Sequence, residues 1–123
     1  MKTKVGVWYS NSDLRIEERT ISELGNKDIL LKVMASGICG TDILEWYRIK
    51  KVQETGKGLV QGHEIAGEIV EVGKDSNYKV GDRILVTHHV PCNGCRNCLR
   101  GKTTQCRDFQ KINNFDPGGF SEY

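Results

Sequence analysis

The chain is 123 residues long, room for one domain but not for a dinucleotide-binding domain beside it. Charged residues make up 28% and hydrophobic ones 37%, a balance that argues against both a disordered tail and a membrane-embedded chain. With 18 Lys plus Arg against 16 Asp plus Glu, net charge gives no ground for a nucleic-acid or acidic-lipid surface.

In chain order, the lysine-bearing start runs into Ser10, Asn11, Ser12 and Asp13, not into the apolar stretch of a signal peptide. Short runs at residues 4–9, 14–19, 28–35, 64–72 and 83–86, each bounded by Gly, Asn, Asp or Ser, predict strands. A short helix is expected to begin near Thr41 or Asp42 and to run through Ile43, Leu44, Trp46 and Tyr47. Residues 50–58 are polar, carry two glycines and show no period, which predicts an exposed loop. The fold class expected is mainly β with short helices. No apolar run approaches the roughly 20 residues of a spanning helix, so the expected protein makes no membrane contact and is cytoplasmic.

The last third holds Cys92, Cys95, Cys98 and Cys106 in PCNGCRNC and its continuation. Four soft ligands this close, joined by Asn and Gly turns, suit a tetrahedral zinc, and a zinc saturated by thiolates is structural because no coordination position is left for substrate. Ferredoxin-type clusters place the fourth cysteine sooner and follow it with Pro; here Arg107 follows. Disulfides or unliganded thiols are the remaining alternatives. Arg96, Arg100, Lys102 and Arg107 make the lobe basic, yet no aromatic residue lies between Cys92 and Cys106 to stack on a base. A solvated face is therefore favoured over a nucleic-acid-binding ribbon, and no nucleic-acid partner is expected.

Cys39 stands alone in GICGTD, with Thr41 and Asp42 close behind, and His63 and Glu64 follow in QGHE at the mouth of a predicted strand. A solitary cysteine is most often a small buried hydrophobe, and a lone histidine is more often structural than not. A cysteine, a histidine and a neighbouring carboxylate together match a catalytic zinc set. Spacing alone does not bring Cys39 and His63 together.

The order CGTD, GHE, EIAGEIVEVG, KVGDRILV, the four-cysteine lobe and PGGFSEY, over residues 25–123, resembles the zinc-containing medium-chain alcohol and polyol dehydrogenases. The resemblance implies a GroES-like, partly open β-barrel over residues 1–123 with a structural-zinc lobe at 91–107, and a separate Rossmann domain absent from this sequence. It matches Cys39 and His63 to catalytic-zinc ligands, Glu64 to an acidic ligand or near neighbour of that metal, and Cys92, Cys95, Cys98 and Cys106 to the structural zinc. Thr41 matches the hydroxyl that relays the substrate proton and Asp42 the carboxylate that orients the zinc-bound histidine. Some members carry a histidine where this chain has Leu44, which interrupts the outer part of the relay. His88 and His89 match no ligand and are read as structural.

The implied parent is an NAD- or NADP-dependent oxidoreductase that converts a small-molecule alcohol or polyol to a ketone or aldehyde. It carries one catalytic and one structural zinc and assembles as a homo-oligomer. No GxGxxG occurs here, and the pattern runs to Tyr123 without a break, so a fragment inactive alone is expected. The alternative is a non-catalytic zinc-binding module that keeps the fold.

Overall fold

A computed structural model describes residues 1–88, 90–108 and 118–123. Two three-stranded antiparallel sheets dominate it. The first has the order β2-β1-β4, with β1 at Lys2–Ser10, β2 at Asp13–Thr20 and β4 at Leu59–Val60. The second has the order β3-β5-β6, with β3 at Ile29–Gly37, β5 at Glu64–Val72 and β6 at Arg83–Val86. Among the described residues the sheets do not close into a barrel, which agrees with a partly open, mainly β domain.

Period-two patterning builds the core. On β1, Thr3, Val5 and Val7 face inward, and on β5, Ile65, Gly67 and Ile69 do the same. Val5, Val7 and Ile69 are completely buried, each contributing about 1.5–3 kcal/mol of apolar burial. Trp8 buries on the opposite face of β1 and donates its indole N–H to Asn11 Oδ1 at 3.2 Å.

The last residues stitch the sheets together. Gly6 N–H donates to the Phe120 carbonyl, Glu122 N–H to the Lys4 carbonyl, and Val33 N–H to the Glu122 carbonyl, at 2.7, 3.0 and 3.0 Å. Residues 118–123 thus bond to β1 on one side and β3 on the other. None of the described helices is long and apolar enough to cross a membrane.

The helix expectation needs correction. Gly40–Ile43 is a separate 3-10 turn, and α1 spans Glu45–Thr55, taking in residues 50–55 of the segment expected to be loop. Its second half is rich in Lys, Gln and Glu, good helix formers that show no apolar period because α1 buries no residue. Gly56, one of the glycines that suggested a loop, is the left-handed cap ending α1, its N–H donating to the Val52 carbonyl at 2.8 Å.

Candidate metal centres

The register of β3 against β5 brings Cys39 and His63 together. Gly37, the last residue of β3, pairs with Glu64, the first of β5. Cys39 lies two residues beyond one end of that pair and His63 one residue before the other. The Sγ of Cys39, a ring nitrogen of His63 and a carboxylate oxygen of Glu64 all lie within 4.8 Å of one another. Gly37 makes room for this: a Cβ there would run into the Glu64 carboxylate. Gly62 sets the backbone before His63 at φ +89°, and its hypothetical Cβ would sit 2.8 Å from the Phe120 nitrogen. That crowding reflects two backbone bonds, Gly119 N–H to the Gly62 carbonyl and Phe120 N–H to the Gln61 carbonyl, both 2.9 Å.

The 3-10 turn presents the rest of the site. Asp42 N–H donates to the Cys39 carbonyl, and Cys39 N–H donates back to Asp42 Oδ2, both at 2.9 Å. This reciprocal pair closes the turn around Thr41. Asp42 is only 5% exposed, and its Oδ1 has no hydrogen-bond partner, lying 3.6 Å from His63 Nδ1. Nδ1 facing a carboxylate leaves Nε2 for the cluster, where Thr41 Oγ1 stands 3.5 Å away. A soft sulfur, an imidazole and a carboxylate, with the far ring nitrogen turned toward an acid, fit a zinc ion that keeps an open position.

An open cleft of about 460 Å³ is lined by His63 and Glu64, with Ala35, Val86 and Thr87 in its walls. Its surprise is His88. Val86 pairs with Ile65, so the chain leaving β6 runs alongside His63, and the His88 ring meets the His63 ring edge to face with centroids 4.6 Å apart. His88, expected to be structural, thus stands in the cleft wall, a place set by the pairing of β6 with β5. His89 lies outside the described residues. Arg48, which drew no comment in the sequence, also reaches this region: its Nε donates to the Thr41 carbonyl at 2.9 Å.

The four-cysteine lobe is built locally. Cys92, Cys95, Cys98 and Cys106 present sulfurs that all lie within 4.8 Å of one another. The Cys95–Cys98 and Cys92–Cys98 sulfur separations are 3.5 and 4.0 Å, and thiolates on one tetrahedral zinc stand roughly 3.8 Å apart. Backbone N–H groups of Cys98 and Arg107 pull the Cys95 thiol down to about 6. Burial, and then the neighbouring thiol of Cys95, push Cys98 up to about 12. The Cys92 N–H, 3.3 Å from the Cys106 sulfur, lowers the Cys106 thiol. A one-turn helix, α2 at Arg96–Leu99, and the Asn97 amide donating to the Gln105 carbonyl at 2.7 Å fold the lobe on itself. Arg96, Arg100, Lys102 and Arg107 are exposed.

A family model described as the alcohol dehydrogenase GroES-like domain matches residues 25–123. An L-threonine 3-dehydrogenase from Rhizobium etli (strain CIAT 652) is 36% identical over 124 residues, which cover 99% of this chain and 34% of that protein. The crystal structure of an Escherichia coli oxidoreductase/dehydrogenase of unknown specificity superposes with a TM-score of 0.80 at 28% identity, covering 100% of this chain and 37% of that one. A protein from Sinorhizobium meliloti 1021, described as a zinc-binding dehydrogenase and bound to NADP, gives 0.76 at 30% identity, over 100% and 35%. The chain spans about a third of the length of the curated relatives it matches.

Proposed function

The chain belongs to the family of alcohol dehydrogenase GroES-like domains, and from that premise we propose that it is the metal-holding domain of a zinc-dependent, NAD- or NADP-linked alcohol dehydrogenase. The observation that carries this reading is the convergence of Cys39, His63 and Glu64 within 4.8 Å, with His63 and Glu64 lining a cleft, separate from a second, four-thiol cluster. The substrate class is a small-molecule alcohol or polyol. Curated relatives include L-threonine 3-dehydrogenases, whose substrate carries its hydroxyl on an amino acid.

Cys39, His63 and Glu64 would hold the reactive zinc, and Cys92, Cys95, Cys98 and Cys106 the structural one. Zinc in the cleft supplies a Lewis acid that makes a bound alcohol more acidic. The chain's own groups do the remaining work. The Thr41 hydroxyl, exposed and 3.5 Å from His63 Nε2, takes a proton from an alcohol bound beside that nitrogen and passes it outward. Asp42, 3.6 Å from His63 Nδ1, keeps that nitrogen protonated and the ring in one orientation. The hydride acceptor, a nicotinamide, would be bound by polypeptide outside these residues, since no GxGxxG occurs among them. Five cysteines, none in a disulfide, suit the reducing cytoplasm in which we expect the protein to act.

Zinc counting on freshly purified protein tests the proposal. Two zinc ions per chain are expected, falling to one in the Cys39→Ser/His63→Ala variant with the four-cysteine lobe still loaded. One zinc in the parent chain, lost on Cys95→Ser, would instead favour a non-catalytic zinc module.

A further inference from the structure

We propose that Arg48 is a positioning residue for the Cys39–His63–Glu64 centre, acting through Asp42 on His63. The proposal rests on the reading that this centre holds zinc, and it concerns a residue that neither the motif pattern nor the ligand set includes.

Arg48 occupies the first turn of α1, directly after the 3-10 turn that carries Thr41 and Asp42. Its Nε–H donates to the Thr41 carbonyl at 2.9 Å, while Nη2 lies 3.7 Å from Asp42 Oδ1. The guanidinium therefore spans two adjacent residues of the turn, one bearing the relay hydroxyl and the other the carboxylate behind His63. The Arg48 side chain is 22% exposed and that of Asp42 4%, so this contact is shielded far more than an ordinary surface pair.

Asp42 explains why such a partner is needed. A buried carboxylate is costly unless its charge is met and its oxygens are satisfied. Oδ2 accepts from the Cys39 N–H, but Oδ1 accepts no hydrogen bond. It lies instead between two nitrogen groups, His63 Nδ1 at 3.6 Å and Arg48 Nη2 at 3.7 Å. The imidazole is the group that a metal engages through its far nitrogen. The guanidinium is a permanent cation on the other flank. Arg48 thus keeps Oδ1 on the side of the carboxylate that faces His63 Nδ1, from which a short approach brings it within hydrogen-bond reach, and prevents the carboxylate from swinging away.

Arginine suits this role as lysine does not. Its planar fork can commit Nε to the Thr41 carbonyl and still direct Nη2 at Asp42, whereas a lysine has one nitrogen on a flexible stem and must choose. The turn's other anchors are weaker geometrically: Asn11 donates from its side chain to the Ile43 carbonyl at 3.0 Å and from its backbone to Glu45 Oε1 at 3.2 Å, beyond the residues that face the metal.

The test uses the full chain reconstituted with cobalt(II), whose visible absorption reports each centre separately, with the four-cysteine lobe as an internal control. In Arg48→Gln, the affinity of the cleft centre for cobalt should fall about 10- to 100-fold, the range seen when outer partners of metal ligands are removed. Its ligand-field band should shift, while the thiolate band of the lobe stays unchanged. Arg48→Lys, which keeps the charge but not the fork, should lie between the parent and Arg48→Gln. A parent-like affinity and band in Arg48→Gln overturns the proposal and leaves the zinc reading standing. If Arg48→Gln misfolds and loses both bands, Arg48→Lys decides: an intermediate cleft affinity supports the fork, and a parent-like one overturns it. A parent chain that binds cobalt only in the lobe overturns both.

Discussion

The two donor clusters are made in opposite ways. The lobe draws Cys92, Cys95, Cys98 and Cys106 from one short stretch, orders them with its own backbone N–H groups, and uses a single-turn helix. The cleft draws Cys39, His63 and Glu64 from the ends of two strands, and its geometry depends on sheet pairing, on a 3-10 turn and on the 118–120 segment packed behind Gly62. A local cluster stands or falls with its metal, whereas an assembled one stands or falls with the fold.

The largest test of that contrast is removal of the lobe's ligands. Cys95→Ser/Cys98→Ser should abolish zinc binding there, and with it metal-linked folding energy of about 10–16 kcal/mol. Proteolysis should then open residues 92–106 while the β3–β5 amides stay protected from hydrogen exchange. Loss of that protection would show that the lobe supports the sheets after all.

The reverse test strikes the cleft through the fold. Gly62→Ala places a Cβ at a positive φ, 2.8 Å from a backbone nitrogen, costing about 1–3 kcal/mol. The expected result by calorimetry and metal titration is a lower Tm and weaker zinc in the cleft, with the lobe's zinc retained. A milder change, Asp42→Asn, should weaken cleft zinc about 10- to 100-fold and leave the lobe's affinity unaltered in the same titration.

The smallest expected effect is a proton count. Zinc needs thiolates, so protons compete with it. With Cys95 at about 6 and Cys98 at about 12 before metal binds, zinc must displace the Cys98 proton at neutral pH but finds Cys95 already ionised. Affinity should therefore rise with pH across the neutral range and drop more steeply below about 6, where Cys95 takes up a proton as well. Calorimetry at pH 7.5 in buffers of different ionisation enthalpy should register fewer than four protons released; a full four would contradict the assignment of Cys95.

What was legible in the sequence divides along the same line. The lobe could be read from ligand spacing because its structure is local. Strands β5 and β6 fall where alternation and turn residues placed them, at Glu64–Val72 and Arg83–Val86. Strand β4 was missed because its two residues pair only with Val7 and Trp8 and carry no pattern of their own. The outer half of α1 was missed because a helix that buries nothing writes no apolar stripe. In the cleft, the residue types at Cys39, Thr41, Asp42, His63 and Glu64 could be singled out, but their meeting could not. Arg48 stayed hidden for the same reason, since its contacts arise from a turn's neighbour, and the place of His88 in the cleft wall follows from a strand's continuation.

The Gly37–Glu64 pair has a consequence for finding such centres elsewhere. Everything between those two residues is an excursion that leaves the sheet and returns to the same rung, so its length does not set the distance from Cys39 to His63. A search by fixed gap between cysteine and histidine would discard proteins whose excursion is longer or shorter. A search for a glycine ending one strand opposite an acidic residue opening the next would keep them.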